Sequence, residues 1–248
     1  MRLSQFIYLP GFRRPPVAGS DTTFKAEPIF YLWCAYFGLL AFAFYILYVK
    51  GIWASLLAAD PTYLTALIVV LFVGSTIWVG FRANQLAWQY EQVCKFRELI
   101  QNKVSKDVLL QEENSWFKDL FKSLTAKKQD WRNNSQLVSL FAEKSSAAHE
   151  MSWWINGVLL KLGLLGKVIG FSIMALQLGS LDSFDASQTS AILKTLTGGL
   201  GIALLTTMTG LAANMLLGLQ LMRLDRFADY LTAYAIETIE LDLEDSLA

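Results

Sequence analysis

The chain has 248 residues, of which 54% are hydrophobic and only 17% are charged. A soluble globular protein carries about 25% charged residues, so this composition favours a membrane protein. The formal net charge is zero, which excludes the basic footprint of a nucleic-acid-binding protein. The two cysteines, Cys34 and Cys94, form neither a disulfide framework nor a metal-ligand spacing, and we expect no metal and no cofactor.

Four apolar runs are each long enough to cross a bilayer as a helix, which takes about 20 residues. After an N-terminal segment, 1–28, the first two runs predict a transmembrane hairpin over 29–81, with spans at 29–49 and 62–81. The link between them reads KGIWASLLAADP, and Pro61 suits the first turn of the second helix.

The polar stretch 82–150 predicts a helical domain, because its apolar residues recur at helical spacing. Its first helix is expected to continue from the second span. A second transmembrane hairpin follows over 151–222, with spans at 153–178 and 192–222 joined by the short acidic connector GSLDSFDASQ. The last span is predicted to run without a break into a C-terminal helix and acidic tail, 223–248. The predicted fold is therefore all-α, with four transmembrane helices and long helical extensions.

The positions of lysine and arginine predict the orientation of the four spans. Basic residues concentrate in the N-terminal segment, in the polar stretch 82–150 and directly after the fourth span, at Arg223 and Arg226. The two short links that join the spans within each hairpin carry almost none. Because basic loops stay in the cytoplasm, both termini and the polar stretch are predicted to be cytoplasmic.

Lys167 is the most unusual residue of the chain, because it lies in the middle of the third apolar span. A charge at that depth costs at least about 3 kcal/mol, so it normally faces a bundle interior or a wet cavity and has a partner. None of the four spans contains Asp or Glu. The counter-charge must then be water, a backbone carbonyl or an acid on another subunit, which indicates an assembly that handles ions. The alternative is a lysine that snorkels to the membrane surface.

Two stripes of small and polar residues follow helical spacing on the last two spans. On the third span the stripe comprises Asn156, Gly163, Lys167, Gly170, Met174 and Gln177, and on the fourth Gly199, Ala203, Thr207, Gly210 and Asn214, with Thr206 beside it. Small residues allow close helix packing, and hydroxyl or amide groups bond across it. Close packing is predicted at Gly163, Gly166, Gly170, Gly199, Ala203 and Gly210, and an ion path at Lys167, Thr207, Asn214, Thr206 and Asn156.

Plainer interpretations of the same residues remain open. The glycines and alanines can serve ordinary helix packing alone. Thr206 and Thr209 are expected to bond to the backbone of their own helix, as membrane threonines commonly do. His149, the single histidine, is expected to be an ordinary residue at the threshold of the third span, and a role in handling protons is the alternative.

The two stripes resemble a known family. LGLLGKVIGFSIMAL resembles the third-span motif of the MotA/TolQ/ExbB proton-channel family, and GLGIALLTTMTGLAAN resembles the motif of its following span. The resemblance covers 153–231, and the four-span layout is similar to that of MotA. It implies a homopentamer in the bacterial inner membrane around a dimer of a single-span partner like ExbD, TolR or MotB, whose membrane aspartate carries the ions. Such complexes convert the proton-motive force into rotation that acts on the periplasm or outer membrane.

The chain departs from that family at three positions. The family's pore threonines fall on Thr207 and on Lys167, where the hydroxyl is replaced by a cation. The glutamate of ExbB-type proteins falls on Ile202, and a family proline falls near Met215. Because a lysine cannot coordinate a cation, we expect Lys167 to pair with the partner's carboxylate.

Two other functions remain as alternatives. One is a non-conducting pentameric scaffold of the same family, in which Lys167 and Ile202 close the ion path. The other is a four-span small-molecule carrier, which would favour internal repeats and broken helices that the two hairpins do not show. An enzyme is not expected, because the sequence shows no nucleophile with a base, no carboxylate pair and no metal cluster.

Overall fold

The computed structural model describes residues 28–60, 62–101, 116–126, 135–179 and 189–247. These residues form six helices and no strand: α1 Ile29–Val49, α2 Ile52–Ala59, α3 Leu64–Gln101, α4 Trp116–Ala126, α5 Ser135–Gly179 and α6 Thr189–Leu247. Four of the helices, α1, α3, α5 and α6, are long and apolar enough to cross a membrane. The prediction of an all-α fold with four apolar helices is therefore confirmed.

Three helices continue without interruption from an apolar run into a polar one. Helix α3 runs on through Arg82 to Gln101, and α6 runs on to Leu247, as predicted. Helix α5 begins at Ser135, well before the predicted span start at Trp153. Neither Gly nor Pro occurs in the polar part of any of the three, so nothing in the backbone ends the helix there.

The link between the first two spans contains a helix that the sequence did not predict, α2. Gly51 adopts the left-handed conformation, with φ 68°, and separates α2 from α1. After α2, the carboxylate of Asp60 accepts backbone N–H bonds from Thr62 and, at 2.7 Å, from Thr65. These bonds satisfy amides at the start of α3, which begins at Leu64, two residues after the predicted start.

The chain folds into two compact units. The first, here named the apolar unit, comprises Ala35–Val79 and Met151–Leu221. Its core contains the fully buried side chains Ile68, Leu159, Ala203 and Leu217. Its outward surface is also apolar, since Leu39, Val70 and Trp154 are each more than 60% exposed. Large exposed apolar side chains on long apolar helices are what a lipid environment requires.

The second unit, here named the polar unit, comprises Met1–Cys34, Gly80–Glu150 and Met222–Ala248. Its core is a helical bundle in which Leu86, Val93, Leu231 and Ala235 are completely buried. Residues 1–27 of the predicted N-terminal segment, most of the predicted 179–188 connector and the side chains of the acidic tail lie outside the described residues.

A buried arginine ties three helices of the polar unit together. Arg82 of α3 is 7% exposed, and its Nη2 donates to the carbonyl of Ser145 in α5 at 2.9 Å. The guanidinium also lies 5.3 Å from the ring centre of Trp116 in α4. A guanidinium that donates a hydrogen bond and lies near an aromatic ring is an arrangement that suits arginine better than lysine.

Candidate functional site

Helices α5 and α6 meet in the apolar unit along a contact made largely of backbone, here named the glycine seam: Gly163, Gly166 and Gly170 of α5 with Gly199, Ala203 and Gly210 of α6. A Cβ on Gly163 would lie 3.1 Å from the Cα of Gly210, and a Cβ on Gly170 would lie 2.8 Å from the carbonyl oxygen of Gly199. Neither helix leaves room for a methyl group at these positions. The six residues predicted from the sequence to pack closely thus all lie at one contact.

Two threonines of α6, Thr206 and Thr209, bond to their own helix. The hydroxyl of Thr206 donates to the carbonyl of Ile202, and that of Thr209 to the carbonyl of Leu205, both at 2.8 Å. Thr206 is fully buried, and its side chain fills the space beside Gly166. The expectation of own-helix bonding for these two threonines is confirmed.

Thr207 differs because its hydroxyl has acceptors on both helices. Its Oγ1 lies 2.7 Å from the carbonyl oxygen of Ala203 on α6 and 3.3 Å from that of Gly163 on α5. A hydroxyl carries a single proton, so it donates to one carbonyl, to the other, or to both weakly. Thr206 also reaches two carbonyls, but both belong to α6, so Thr207 is the one of the two whose bonding can change between the helices.

An asparagine pair continues the α5/α6 contact beyond the glycine seam. The side-chain amide of Asn214 donates to the backbone carbonyl of Asn156 at 2.8 Å. The side chain of Asn156 is itself buried, and its Oδ1 has no hydrogen-bond partner among the described residues. A buried acceptor without a donor costs about 1–3 kcal/mol, so this oxygen is a place where a donor from outside the hairpin would be favourable.

Helices α1 and α3 cover one side of α6 within the apolar unit. The side-chain amide of Gln220 donates to the hydroxyl of Thr76 in α3 at 3.3 Å, and the hydroxyl of Tyr36 in α1 donates to the carbonyl of Leu216 at 3.1 Å. Ile202 and Leu217 are buried. This side of the hairpin is therefore closed by the chain itself.

Another face of α6 is left uncovered in the apolar unit. Its exposed side chains recur every three or four residues, at Leu200, Leu204, Met208, Leu211 and Met215. On α5 the exposed residues Leu164, Lys167, Val168 and Phe171 likewise share one helix face. Both faces are available to lipid or to another protein helix.

Lys167 lies at the edge of the glycine seam rather than inside it. Its side chain is exposed, although the sequence places it on the same stripe as Gly163 and Gly170. Its Nζ lies 5.9 Å from the ring centre of Phe171, which is within cation–π range. Gly166, the residue before it, takes the buried position against Thr206. Of the predicted stripe, the side chain of Gln177 lies outside the described part of the chain.

The apolar unit offers Lys167 no carboxylate of its own. In the described residues of that unit the one acidic residue is Asp60, which is 1% exposed and accepts hydrogen bonds from Thr62 and Thr65. Burial raises the pKa of Asp60, but the hydrogen bonds from Thr62 and Thr65 outweigh it and hold that pKa below its ordinary value. Asp60 is thus ionised, and its carboxylate already accepts hydrogen bonds from residues at the start of α3.

The sequence did not predict a pair in the polar unit between a buried histidine and a half-exposed aspartate. His149 of α5 is 2% exposed, and its Nδ1 lies 2.7 Å from the carboxylate oxygen Oδ1 of Asp225 on α6. Position was the signal that could have found them. His149 lies just before the predicted second hairpin, 151–222, and Asp225 lies just after it, and the two ends of a helical hairpin lie side by side.

The geometry therefore gives an α5/α6 hairpin with a tight seam, polar groups along it and an exposed lysine at its edge. Comparisons of the chain with protein-family models, with curated proteins and with solved structures find no match.

Proposed function

We propose that this chain is the channel subunit of an ion-driven membrane motor of the MotA/TolQ/ExbB type. Five copies surround two single-span helices of a partner that resembles ExbD, TolR or MotB and brings a membrane carboxylate. The complex lies in the bacterial inner membrane, with both termini of this chain in the cytoplasm. It couples the proton-motive force to rotation that acts on the periplasm or outer membrane.

The observation that carries this proposal is Lys167. It is exposed on an apolar helix, and the described residues of the apolar unit give it no carboxylate. An unpaired charge at this depth is costly, and a carboxylate on a helix from another chain removes that cost. An acidic partner helix is therefore the ligand that best fits the exposed face of α5.

Thr207 adds a group that can respond to such a partner. Its hydroxyl can donate to Ala203 or to Gly163, so it can release one acceptor when a new one arrives. In the proposed motor the partner's carboxylate pairs with Lys167 of one subunit and then with that of the next. The rotation exchanges one ion pair for another, which keeps each of the two partner carboxylates paired with a lysine at every step.

A second candidate function is a non-conducting scaffold of the same architecture. It is favoured by Ile202, which is 6% exposed and packs as an apolar residue where ExbB-type proteins carry a glutamate. The scaffold would assemble with the same partner but pass no ions.

Native mass spectrometry of the complex purified from its host tests the assembly. Five copies with two copies of a single-span protein are expected, and a monomer or a dimer without a partner would overturn the rotary proposal. Proton flux into liposomes then separates motor from scaffold. We expect Lys167→Thr to change the flux at least about tenfold, because it removes a charge from the path. Lys161→Thr is the matched control, since Lys161 is an exposed lysine on the same helix.

A further inference from the structure

The pair formed by His149 and Asp225 does more than the packing of the polar unit requires. A histidine that only holds two helices together has both ring nitrogens satisfied, because buried polar groups are almost always hydrogen-bonded. Here Nδ1 is bonded to Asp225, whereas Nε2 is buried and has no hydrogen-bond partner among the described residues. The ring is therefore anchored at one nitrogen and keeps a reactive site at the other.

The bond to Asp225 fixes the state of that reactive nitrogen. A carboxylate accepts hydrogen bonds, so in the neutral imidazole the proton lies on Nδ1 and the lone pair on Nε2. Asp225 is 36% exposed while His149 is 2% exposed. The dyad thus has a buried end that can accept a proton and a half-exposed end that can release one to solvent.

We propose that His149 and Asp225 form a proton-relay site of this chain, with Nε2 of His149 as the group that accepts the proton. This proposal rests on the proposed function, because it assigns a step to the ion path. A proton arrives at Nε2 and gives an imidazolium, which the carboxylate of Asp225 stabilises. The Nδ1 proton then passes to Asp225 and from there to water. One proton enters and one leaves, and a turn of the ring then places the protonated nitrogen against Asp225 again.

Charged side chains from two helices, α3 and α6, act on the imidazole of His149. Asp225 and Asp229 of α6 favour the imidazolium, and Arg82 of α3 opposes it. Burial of the ring also opposes the charged form. Burial is the largest of these influences, so the pKa of His149 lies below its ordinary value of 6.5.

The dyad lies, along the chain, close to the points at which α5 and α6 pass from one unit to the other. His149 lies two residues before Met151, at which α5 enters the apolar unit, and Asp225 lies four residues after Leu221, at which α6 leaves it. The two helices are also those that carry Lys167 and Thr207.

The experiment uses the fact that the chain contains one histidine. Labelling histidine with ¹⁵N in this chain only, and assembling it with an unlabelled partner, gives the two ring-nitrogen signals of His149 without assignment. In a titration from about pH 4 to about pH 9 we expect a single reversible transition with a midpoint below the ordinary histidine value of 6.5, and a neutral ring protonated at Nδ1. Asp225→Asn should lower the midpoint by about one pH unit, because it removes the carboxylate that stabilises the cation. A ring that does not titrate in this range would overturn the proposal.

Proton flux in liposomes then tests the relay itself. His149→Gln is expected to reduce the flux of the complex by at least about tenfold, within the range of groups that transfer protons. Glu150→Gln is the matched control, because Glu150 is the exposed neighbour of His149 on the same helix. Full flux in His149→Gln would overturn the relay. If the wild-type complex conducts no protons, the proposed function fails, and the ring titration still decides whether His149 binds a proton.

Discussion

Gly163 and Gly210 lie in direct backbone contact, so that a Cβ on Gly210 would be 2.8 Å from the Cα of Gly163. The contact is possible only because both residues lack a side chain. In a membrane, where burial of apolar surface does not drive helices together, such close packing is a main source of their association. The distance between α5 and α6 is therefore set by these two residues and their neighbours along the seam.

Alanine at either position should separate the two helices. We expect Gly163→Ala and Gly210→Ala to lower the free energy of unfolding by about 1–3 kcal/mol, the usual cost of overpacking a close contact. Denaturation of the protein in detergent measures the change. At Gly157 and Gly201 a Cβ would meet nothing within 4 Å. Gly157→Ala and Gly201→Ala should therefore be neutral or stabilising, and a loss of the same size at all four positions would contradict the seam.

Valine in place of threonine should distinguish Thr207 from Thr209. Thr207→Val removes a hydroxyl that reaches the carbonyl of Gly163 across the helix contact. We expect a loss of about 0.6 kcal/mol, the average for hydrogen bonds between membrane helices. Thr209→Val removes a bond within α6 only and should change the free energy of unfolding by less than about 0.5 kcal/mol. Equal losses in the two variants would show that the Gly163 contact contributes nothing.

The stability of the apolar unit should depend on pH through Asp60. Because its folded-state pKa is lowered, the stabilisation is fully present above the ordinary value of 3.8 and is lost as the pH falls through the folded value. Asp60→Asn should therefore be less stable than the wild type at neutral pH by about 1 kcal/mol, the usual contribution of such a cap. The difference should disappear at strongly acid pH, which thermal unfolding across a pH series would show. A constant difference at every pH would contradict this account.

The polar unit should depend on Arg82 far more than on its exposed charges. Arg82→Met leaves the Ser145 carbonyl without its buried donor and should cost about 1–3 kcal/mol. Lys144 and Asp119 form an ion pair at 3.3 Å, but both side chains are at least 50% exposed. Lys144→Met should therefore cost less than about 1 kcal/mol. Comparable losses in the two variants, measured by chemical unfolding, would be inconsistent with a structural role for the buried guanidinium.

The length of the helices could be predicted where composition decides it. The first span, 29–49, matches α1, because one continuous apolar run has no competing signal. Helical structure from Ser135 could be predicted from the spacing of apolar residues. The continuation of that helix into the third span could not, because a change in polarity suggests a boundary where the backbone has no reason to stop. Helix α2 was missed for a similar reason, since eight residues between two turns carry too little periodicity to identify a helix.

The candidate site also has parts that could be predicted from the sequence and parts that could not. The members of the glycine seam could be predicted, because small residues at helical spacing have one obvious use. The exposure of Lys167 could not be predicted. Helical spacing puts both Gly166 and Lys167 close to the seam, and only the packing of α6 against α5 decides which of the two is buried. The bond between His149 and Asp225 also required the fold, since the two residues are 76 positions apart in the chain.

The glycine seam also determines which sequence changes this protein can accept. Because Gly163 and Gly210 have no side chains, the two backbones touch at this contact. Every replacement of either residue adds atoms where none fit, so no substitution can improve the contact. In a scan of all single substitutions the seam would stand out as a line of positions that reject almost every other amino acid. The exposed leucines and methionines of α6, such as Leu204 and Met208, would instead accept nearly any apolar residue. The pattern of tolerated variation in a population of such sequences would therefore trace the path of one helix along the other.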